Sequence, residues 1–248
     1  MRTILATIVL LLTTWITAAV TTATAAEVIR RDVLRTSGGE VELFFIGHAS
    51  LILTFQGKVI HFDPYGKVGN YATLPRADLV FFTHDHVDHF DLDALQKIIK
   101  PETVIIEPAI CAEKVPDGWI MANGESLTIW DIKVEAVPAY NLVHHREDGE
   151  LFHPPGVGNG YVLTLGDKRI YVAGDTENIP EIKALKRIDL AFLPMDPSTM
   201  TPAMVADVAR SIKPKILYPY HYKNTDPEQL VSLLADRPEI EVRIRPLR

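Results

Sequence analysis

The run Thr83-His84-Asp85-His86-Val87-Asp88-His89 places three histidines and two aspartates within six positions. It directly follows the largely apolar stretch Ala77–Phe82. Burying that many ionisable groups at a strand end is costly unless something binds them. A metal does so readily, because neutral imidazole and carboxylate are standard ligands for zinc and similar divalent ions. On an extended segment His84 and His86 point to the same side. Asp88 continues that phase, and His89 points elsewhere. One short loop can then feed two neighbouring metals, the geometry of two-metal hydrolysis.

Other residues of the same chemistry sit at the ends of other predicted strands. Asp175, in Gly174-Asp175-Thr176, follows Ile170–Ala173, and the glycine allows close backbone approach. His221 follows Leu217-Tyr218-Pro219-Tyr220. His48 falls between two strands; it is either a hydrogen-bonded structural histidine or a contact to substrate or to a ligand side chain.

The elements that must position these residues form an internal duplication. Leu51–Phe55 and Lys58–Phe62 flank Gln56-Gly57 and read as a hairpin; Tyr161–Leu165 and Lys168–Val172 flank Gly166-Asp167 in the same way. Strands Asp78–Phe82 and Asp189–Leu193 follow. A helix over Leu92–Ile99, capped by Asp91, matches one that begins at Thr201-Pro202 and ends at Ile212-Lys213-Pro214. Strands Thr103–Glu107 and Lys215–Pro219 close the two units. Leu53 and Leu163, Asp78 and Asp189, and Pro101 and Pro214 correspond at offsets of 110, 111 and 113. Strands apolar on both faces need cover on both. The expected fold is therefore α/β: a four-layer α/β/β/α sandwich of two duplicated halves, with ligands collecting along the seam. Asn141–Gly160 lacks periodicity and reads as a loop over the site; with Met195–Met200 it is expected to line the pocket.

At 248 residues, 47% apolar and 23% charged, the chain has material for a real core. A net charge of −7 argues against nucleic acid as a partner and leaves a small-molecule substrate. Residues 1–26 read as a signal peptide: Arg2, an apolar run from Ile4 to Leu12, and small residues before cleavage near Ala25 or Ala26. Thr13, Thr14 and Thr17 leave the apolar run short of the ~20 residues of a spanning helix, so no stable membrane anchor is expected after cleavage. A hydrolase domain over 27–248, working in the periplasm or outside the cell, would remain. Cys111 is the single cysteine; it reads as a small buried apolar residue and excludes an intrachain disulfide.

Thr83–His89, Gly174-Asp175-Thr176 and Pro219-Tyr220-His221-Tyr222, with Gly47-His48-Ala49-Ser50 and Phe62-Asp63-Pro64, resemble the metallo-β-lactamase superfamily. The last two resemble its branch of ascorbate-phosphate lactonases and N-acyl-phosphatidylethanolamine phospholipase D. The resemblance, from about Glu40 onward, implies that His84 and His86 bind a first metal. Asp88, His89 and His221 bind a second, and Asp175 bridges both, which sets Asp88 and Asp175 at the reaction centre. Asp63 would orient a ligand imidazole. Relatives usually carry a histidine after Pro-Ala, where this chain has Asn141, a poorer zinc ligand. His144, His145 and His153 follow on the loop. His153, in Phe152-His153-Pro154, is favoured as the replacement, with His145 second; Asn141 would then contact substrate or a ligand.

The implied activity is an exported metal-dependent hydrolase. A hydroxide bridging two divalent ions, zinc first with manganese or iron open, would attack a phosphodiester, lactone or other ester. Two alternatives remain. β-Lactam hydrolysis is disfavoured because lactam-cleaving members typically lack the bridging aspartate, and Cys111 lies in no ligand motif. A non-catalytic exported metal-binding protein is kept open by Asn141.

Overall fold

The computed structural model describes residues 31–248; the segment read as a signal peptide lies outside the described residues. Two seven-stranded sheets carry the fold. The first runs in order through β1 (Arg31–Thr36), β2 (Gly39–Gly47), β3 (Ser50–Phe55), β4 (Lys58–Phe62), β5 (Leu79–Phe81), β6 (Val104–Glu107) and β7 (Trp119–Ile120). The second holds β8 (Ser126–Ile129), β9 (Ile132–Ala139), β10 (Gly158–Leu165), β11 (Lys168–Val172), β12 (Leu190–Pro194), β13 (Ile216–Tyr220) and β14 (Glu241–Val242). Both sheets repeat one pattern of pairing, antiparallel for the first four strands and parallel for the rest.

The duplication extends to side chains. Leu53 pairs with Ile60 in one hairpin and Leu163 with Ile170 in the other. Gln56 and Gly57 turn the first hairpin at φ 49° and 75°, the left-handed pair that matches strand twist. Asp78 accepts from Val59 N and, at 2.8 Å, from Lys100 Nζ. Asp189 accepts from Arg169 N and, at 2.9 Å, from Lys215 Nζ. Each aspartate thus ties the start of a parallel strand to its neighbour.

The layers follow from burial on both strand faces. In β5, Leu79 and Phe81 enter the core between the sheets; the Phe81 ring lies 4.8 Å from Tyr161, across the sandwich. Val80 and Phe82 point outward onto α1 (Leu92–Ile98), where Ala94, Leu95 and Ile98 cover them. Each such side chain contributes roughly 1.5–3 kcal/mol on full burial. Asp91 caps α1 by accepting from Ala94 N.

In the second half, Thr201 caps α3 (Pro202–Ile212) and Pro202 opens it. Lys213, at φ 49°, ends it before Pro214. Val205, Ala206, Val208, Ala209 and Ile212 form its buried face, in one apolar cluster with β12 and β13. Two short helices, α2 (Pro180–Lys183) and α4 (Glu228–Leu233), flank α3. No helix among the described residues is long and apolar enough to cross a membrane.

Two boundaries move. The loop after β9 ends at Val157 rather than Gly160, because Gly158–Gly160 pairs with Val137–Ala139. Gly160 is required there: a Cβ on it would stand 2.6 Å from the Ala173 carbonyl oxygen. β1, β2, β7, β8, β9 and β14 extend both sheets beyond the strands read from sequence.

His61 on β4 is buried away from the strand-end cluster, its Nε2–H donating to the Pro75 carbonyl at 3.0 Å. Burial lowers its pKa to about 4, and the Pro75 bond opposes this in part. The unfolded chain therefore takes up that proton first as pH falls. The stability involved is complete above about pH 6.5 and is lost between there and pH 4, on the order of 3 kcal/mol. His61→Gln keeps an N–H for Pro75 and removes the titration. Denaturant unfolding at stepped pH should show a shallower loss over this window in the variant; identical slopes would refute it.

Candidate metal centre

The C-terminal ends of β4, β5, β11 and β13 meet on one edge of the sandwich. They carry Asp63, His84, Asp175 and His221. Ligand atoms fall into overlapping groups, each within 4.8 Å: His84, His86 and His153; His48, Asp88, His89 and His221; and His84, His89 and Asp175. The Asp175 carboxylate lies between the first two. Its Oδ2 stands 3.4 Å from both His153 Nε2 and His221 Nε2, and its Oδ1 3.4 Å from His89 Nε2.

The extended phase of the histidine loop stops at His86. His89 N and Phe90 N both bond to the His86 carbonyl, at 2.9 and 2.8 Å, so the chain turns there. This turn, not a continued strand phase, delivers Asp88 to the His48 side, where its Oδ2 is 3.0 Å from His48 Nε2.

Partners at the far nitrogens settle which imidazole nitrogen faces inward. Thr83 donates its hydroxyl to Asp63 Oδ2 at 2.7 Å, so its oxygen accepts from His84 Nδ1–H at 3.0 Å. Asp63 accepts also from Thr83 N and from His89 Nδ1–H, at 2.8 Å each. Asn141 donates both amide hydrogens, to Glu177 Oε1 and the Ser198 carbonyl, at 2.9 Å each. Its Oδ1 therefore accepts from His153 N at 2.8 Å and His153 Nδ1–H at 2.6 Å. His221 Nδ1 lies 3.2 Å from Asp196 Oδ2. For His84, His89 and His153 Nε2 is thereby left to the interior, while His221 Nδ1 makes no hydrogen bond at its distance from Asp196. His86 is reversed, with Nδ1 3.3 Å from His153 Nε2 and Nε2 3.1 Å from Arg146 Nη2.

These atoms fit a metal. His84 Nε2, His89 Nε2, His221 Nε2 and Asp175 Oδ1 are buried with no hydrogen-bond partner. Left so, each costs roughly 1–3 kcal/mol; as ligands they would be satisfied. Burial lowers the pKa of His84, His89 and His221, and that of His153 to about 3, which keeps them neutral, the ligating form. Burial, then the charges of Asp196 and Asp88, push Asp175 far above the carboxylate range, so its ionised form calls for a cation beside it. Burial also pushes Asp63 up to about 8, against its Thr83 donors. Burial would raise Asp88 too, but the hydrogen bond with His48 holds it below the ordinary value. His48, Asp63 and His221 are non-glycine residues in the left-handed region, at φ 53°, 41° and 49°, a strain of ~1–3 kcal/mol each that concentrates at functional sites.

Of the three loop histidines, His153 joins His84 and His86. His144 Nδ1 bonds to Glu177 Oε1 at 2.7 Å, and the exposed His145 donates to the Val143 carbonyl at 2.8 Å. Cys111 is buried on the outer side of the first sheet. Sequence reasoning missed Glu177, which gathers Asn141 and the backbone N–H groups of Leu142, Val143 and His144. It also missed Asp196, Arg146 and Lys223. For Glu177 the available signal was its place two residues after Asp175.

A model of the beta-lactamase superfamily domain matches residues 42–221. A UPF0173 metal-dependent hydrolase of Geobacillus is 32% identical over 217 residues, covering 79% of this chain and 94% of that protein. One from Thermus thermophilus is 33% identical over 196 residues, covering 75% and 86%. A crystal structure from Parabacteroides distasonis, of a protein assigned as a metal-dependent hydrolase, superposes with a TM-score of 0.84 at 43% identity, covering 89% of this chain and 100% of that one. A metallo hydrolase of Ignicoccus hospitalis, at 20% identity and TM-score 0.69, shares the fold.

The expectation of an exported, periplasmic protein is corrected by these relatives. They are UPF0173 proteins of bacteria and archaea as different as Geobacillus, Thermus and Pyrococcus, the first two named as metal-dependent hydrolases. The family match begins at residue 42, beyond the apolar run. A short apolar run beside alanines and threonines is a pattern of composition and carries no chemistry of its own, so export is withdrawn.

The Glu177–Asn141–His153 chain makes a prediction. His153→Ala should weaken metal binding by ~10-fold or more, and Asn141→Ala by ~10–100-fold, the scale for an orienting partner. His145→Ala should change nothing measurable. Titration against a competing chelator dye decides; normal binding by His153→Ala beside a crippled His145→Ala would reverse the assignment.

Proposed function

The chain belongs to the metallo-β-lactamase superfamily and is a metal-dependent hydrolase, and from that premise we propose a dinuclear centre that hydrolyses an ester bond of a small molecule: a phosphodiester, a lactone or another ester. The position of Asp175 carries this reading, since one carboxylate reaches His153 on one side and His221 and His89 on the other. His84, His86 and His153 would hold one divalent ion, and Asp88, His89 and His221 the other, with Asp175 shared. The imidazole-rich donor set favours zinc, with manganese or iron as substitutes. Ions held there would supply a water whose pKa falls toward ~7 and positive charge against the oxyanion that develops.

The protein's own part is orientation. Asp63, Thr83 and Asn141 fix three imidazoles, Asp196 lies 3.2 Å from a fourth, and the partner groups of metal ligands set both their direction and their basicity. His48 fixes the Asp88 carboxylate through its 3.0 Å contact, and its carbonyl accepts from His221 N at 3.2 Å.

Metal analysis of the purified protein should give two divalent ions per chain, and chelation should abolish hydrolysis of phosphodiester, lactone and ester substrates tested beside a lactam. His84→Ala should lower activity more than ~100-fold, beyond the outer-shell scale, with circular dichroism close to wild type. One ion per chain at full activity would refute the dinuclear centre; an active metal-free protein would refute the mechanism altogether.

A further inference from the structure

Two cavities meet at this centre and differ in kind. The more enclosed one, of about 220 Å³, adjoins Asp85, His84, His86 and His153, and its walls include Ile110, Ala139, Phe152, Pro154 and Val157. The open one, of about 400 Å³, holds Asp88, Asp175, Ser198, His221 and Lys223. Arg146, Phe152, His86, His153 and Asp175 border both.

Arg146 is exposed and has no carboxylate partner among the described residues; its Nη2 donates to the Phe152 carbonyl at 2.9 Å and faces His86 Nε2 at 3.1 Å. That second contact needs a lone pair on Nε2. If His86 offers Nδ1 to a metal, Nε2 carries the proton and two donors face each other, so Arg146 keeps its bond to the Phe152 carbonyl and has its other N–H groups to offer an anion. Lys223 is the second cation there, 2.8 Å from Asp196 and lining the open cavity only.

Resting on the hydrolase reading above, we infer that the substrate is a carboxylic ester whose acyl group is a medium-length apolar chain and whose leaving group carries an anion. The apolar cavity takes the acyl chain. An apolar cavity of ~150 Å³ holds a benzene, so this one holds an arm of about six to eight carbons. Arg146, with Lys223, takes the anion on the leaving side of the cleft. A phosphodiester would carry its charge at the reacting atom instead, between the cavities rather than beyond them. In the reaction, water's oxygen bonds to the acyl carbon, the bond from that carbon to the leaving oxygen breaks, and water's proton passes to the leaving alcohol, giving acid and alcohol.

The acyl cavity is tested by calorimetric titration of the metal-loaded protein with straight-chain carboxylates from acetate to decanoate. Affinity should rise about fourfold per methylene, from ~0.8 kcal/mol per buried CH₂, and level off near six to eight carbons. Val157→Trp, which fills the cavity, should flatten the series. The anion site is tested by the ratio of kcat/KM for 4-carboxyphenyl hexanoate over phenyl hexanoate. It should exceed ~10 in the wild type, the range of hydrogen bonds to charged groups, and fall to about one in Arg146→Gln. A flat carboxylate series, or a ratio indifferent to Arg146→Gln, overturns the inference. Because the titration needs no turnover, a rising series in a protein that cleaves no ester would sink the hydrolase reading and leave the acyl cavity standing. Turnover of acetate esters with a flat series would do the reverse.

Discussion

Each neutral imidazole offers one lone pair, and its direction is fixed only when the proton on the other nitrogen has an acceptor. The strand-end edge of this protein is arranged around that constraint. Three acceptors serve three rings: Thr83 oxygen for His84, Asp63 for His89 and Asn141 Oδ1 for His153; Asp196 Oδ2 stands 3.2 Å from the Nδ1 of a fourth, His221. Thr83 and Asp63 are linked, since the hydroxyl gives its one hydrogen to the carboxylate and can therefore only accept from His84. Removing one acceptor would free a ring to flip or change tautomer, while the buried inward nitrogen would keep its desolvation cost.

The duplication explains why these groups converge. Parallel strands of both sheets end on the same edge, and the two halves use equivalent ends for different parts. Asp63 N bonds to the Phe81 carbonyl as Ala173 N bonds to that of Phe192, so Asp63 and Ala173 are equivalent positions. The first half places its orienting carboxylate there; the second places Asp175, whose carboxylate faces His153, His221 and His89, two residues later. The cross-strand neighbours on β5 and β12 continue into the histidine loop in one half and into Met195-Asp196 in the other. One half thus contributes most of the imidazoles, and the other contributes Asp175, His221 and Asp196.

Legibility in the sequence followed the range of the interactions. The histidine loop, the two hairpins and the α1 and α3 caps are local, and their residues stand within a few positions of one another. β2 was equally legible, since Val41, Leu43 and Phe45 alternate with exposed or half-buried neighbours, and it was passed over. β1 and β14 lie at sheet edges, with half-exposed or exposed residues throughout, and give no such pattern. The turn that redirects Asp88 depends on two bonds to one carbonyl and has no composition of its own. Glu177 and Asp196 act across 36 and 25 positions, on Asn141 and His221, and only the folded chain joins them. The N-terminal run shows the opposite failure: a compositional signal with no chemistry behind it pointed to a compartment that the relatives overturn.

At Asn141 the position after the end of β9 offers an amide and no imidazole. The imidazole that joins His84 and His86 comes instead from a loop, where nothing in the sheet register holds it. Glu177 replaces the register. It is buried, and its two oxygens collect the Asn141 amide, three successive backbone N–H groups and His144 Nδ1. Burial would raise its pKa, but these donors bring it below the ordinary value, so it stays a charged acceptor at neutral pH. The loop held this way carries His153 between Phe152 and Pro154, two walls of the apolar cavity. The His153 imidazole and the cavity wall therefore cannot move separately. A change that widened the cavity by shifting the backbone at 152–154 would carry His153 Nε2 away from His84 and His86, and a change that loosened His153 would open the cavity to water. The Glu177–Asn141–His153 chain thus joins the placing of the His153 imidazole to the shape of the pocket.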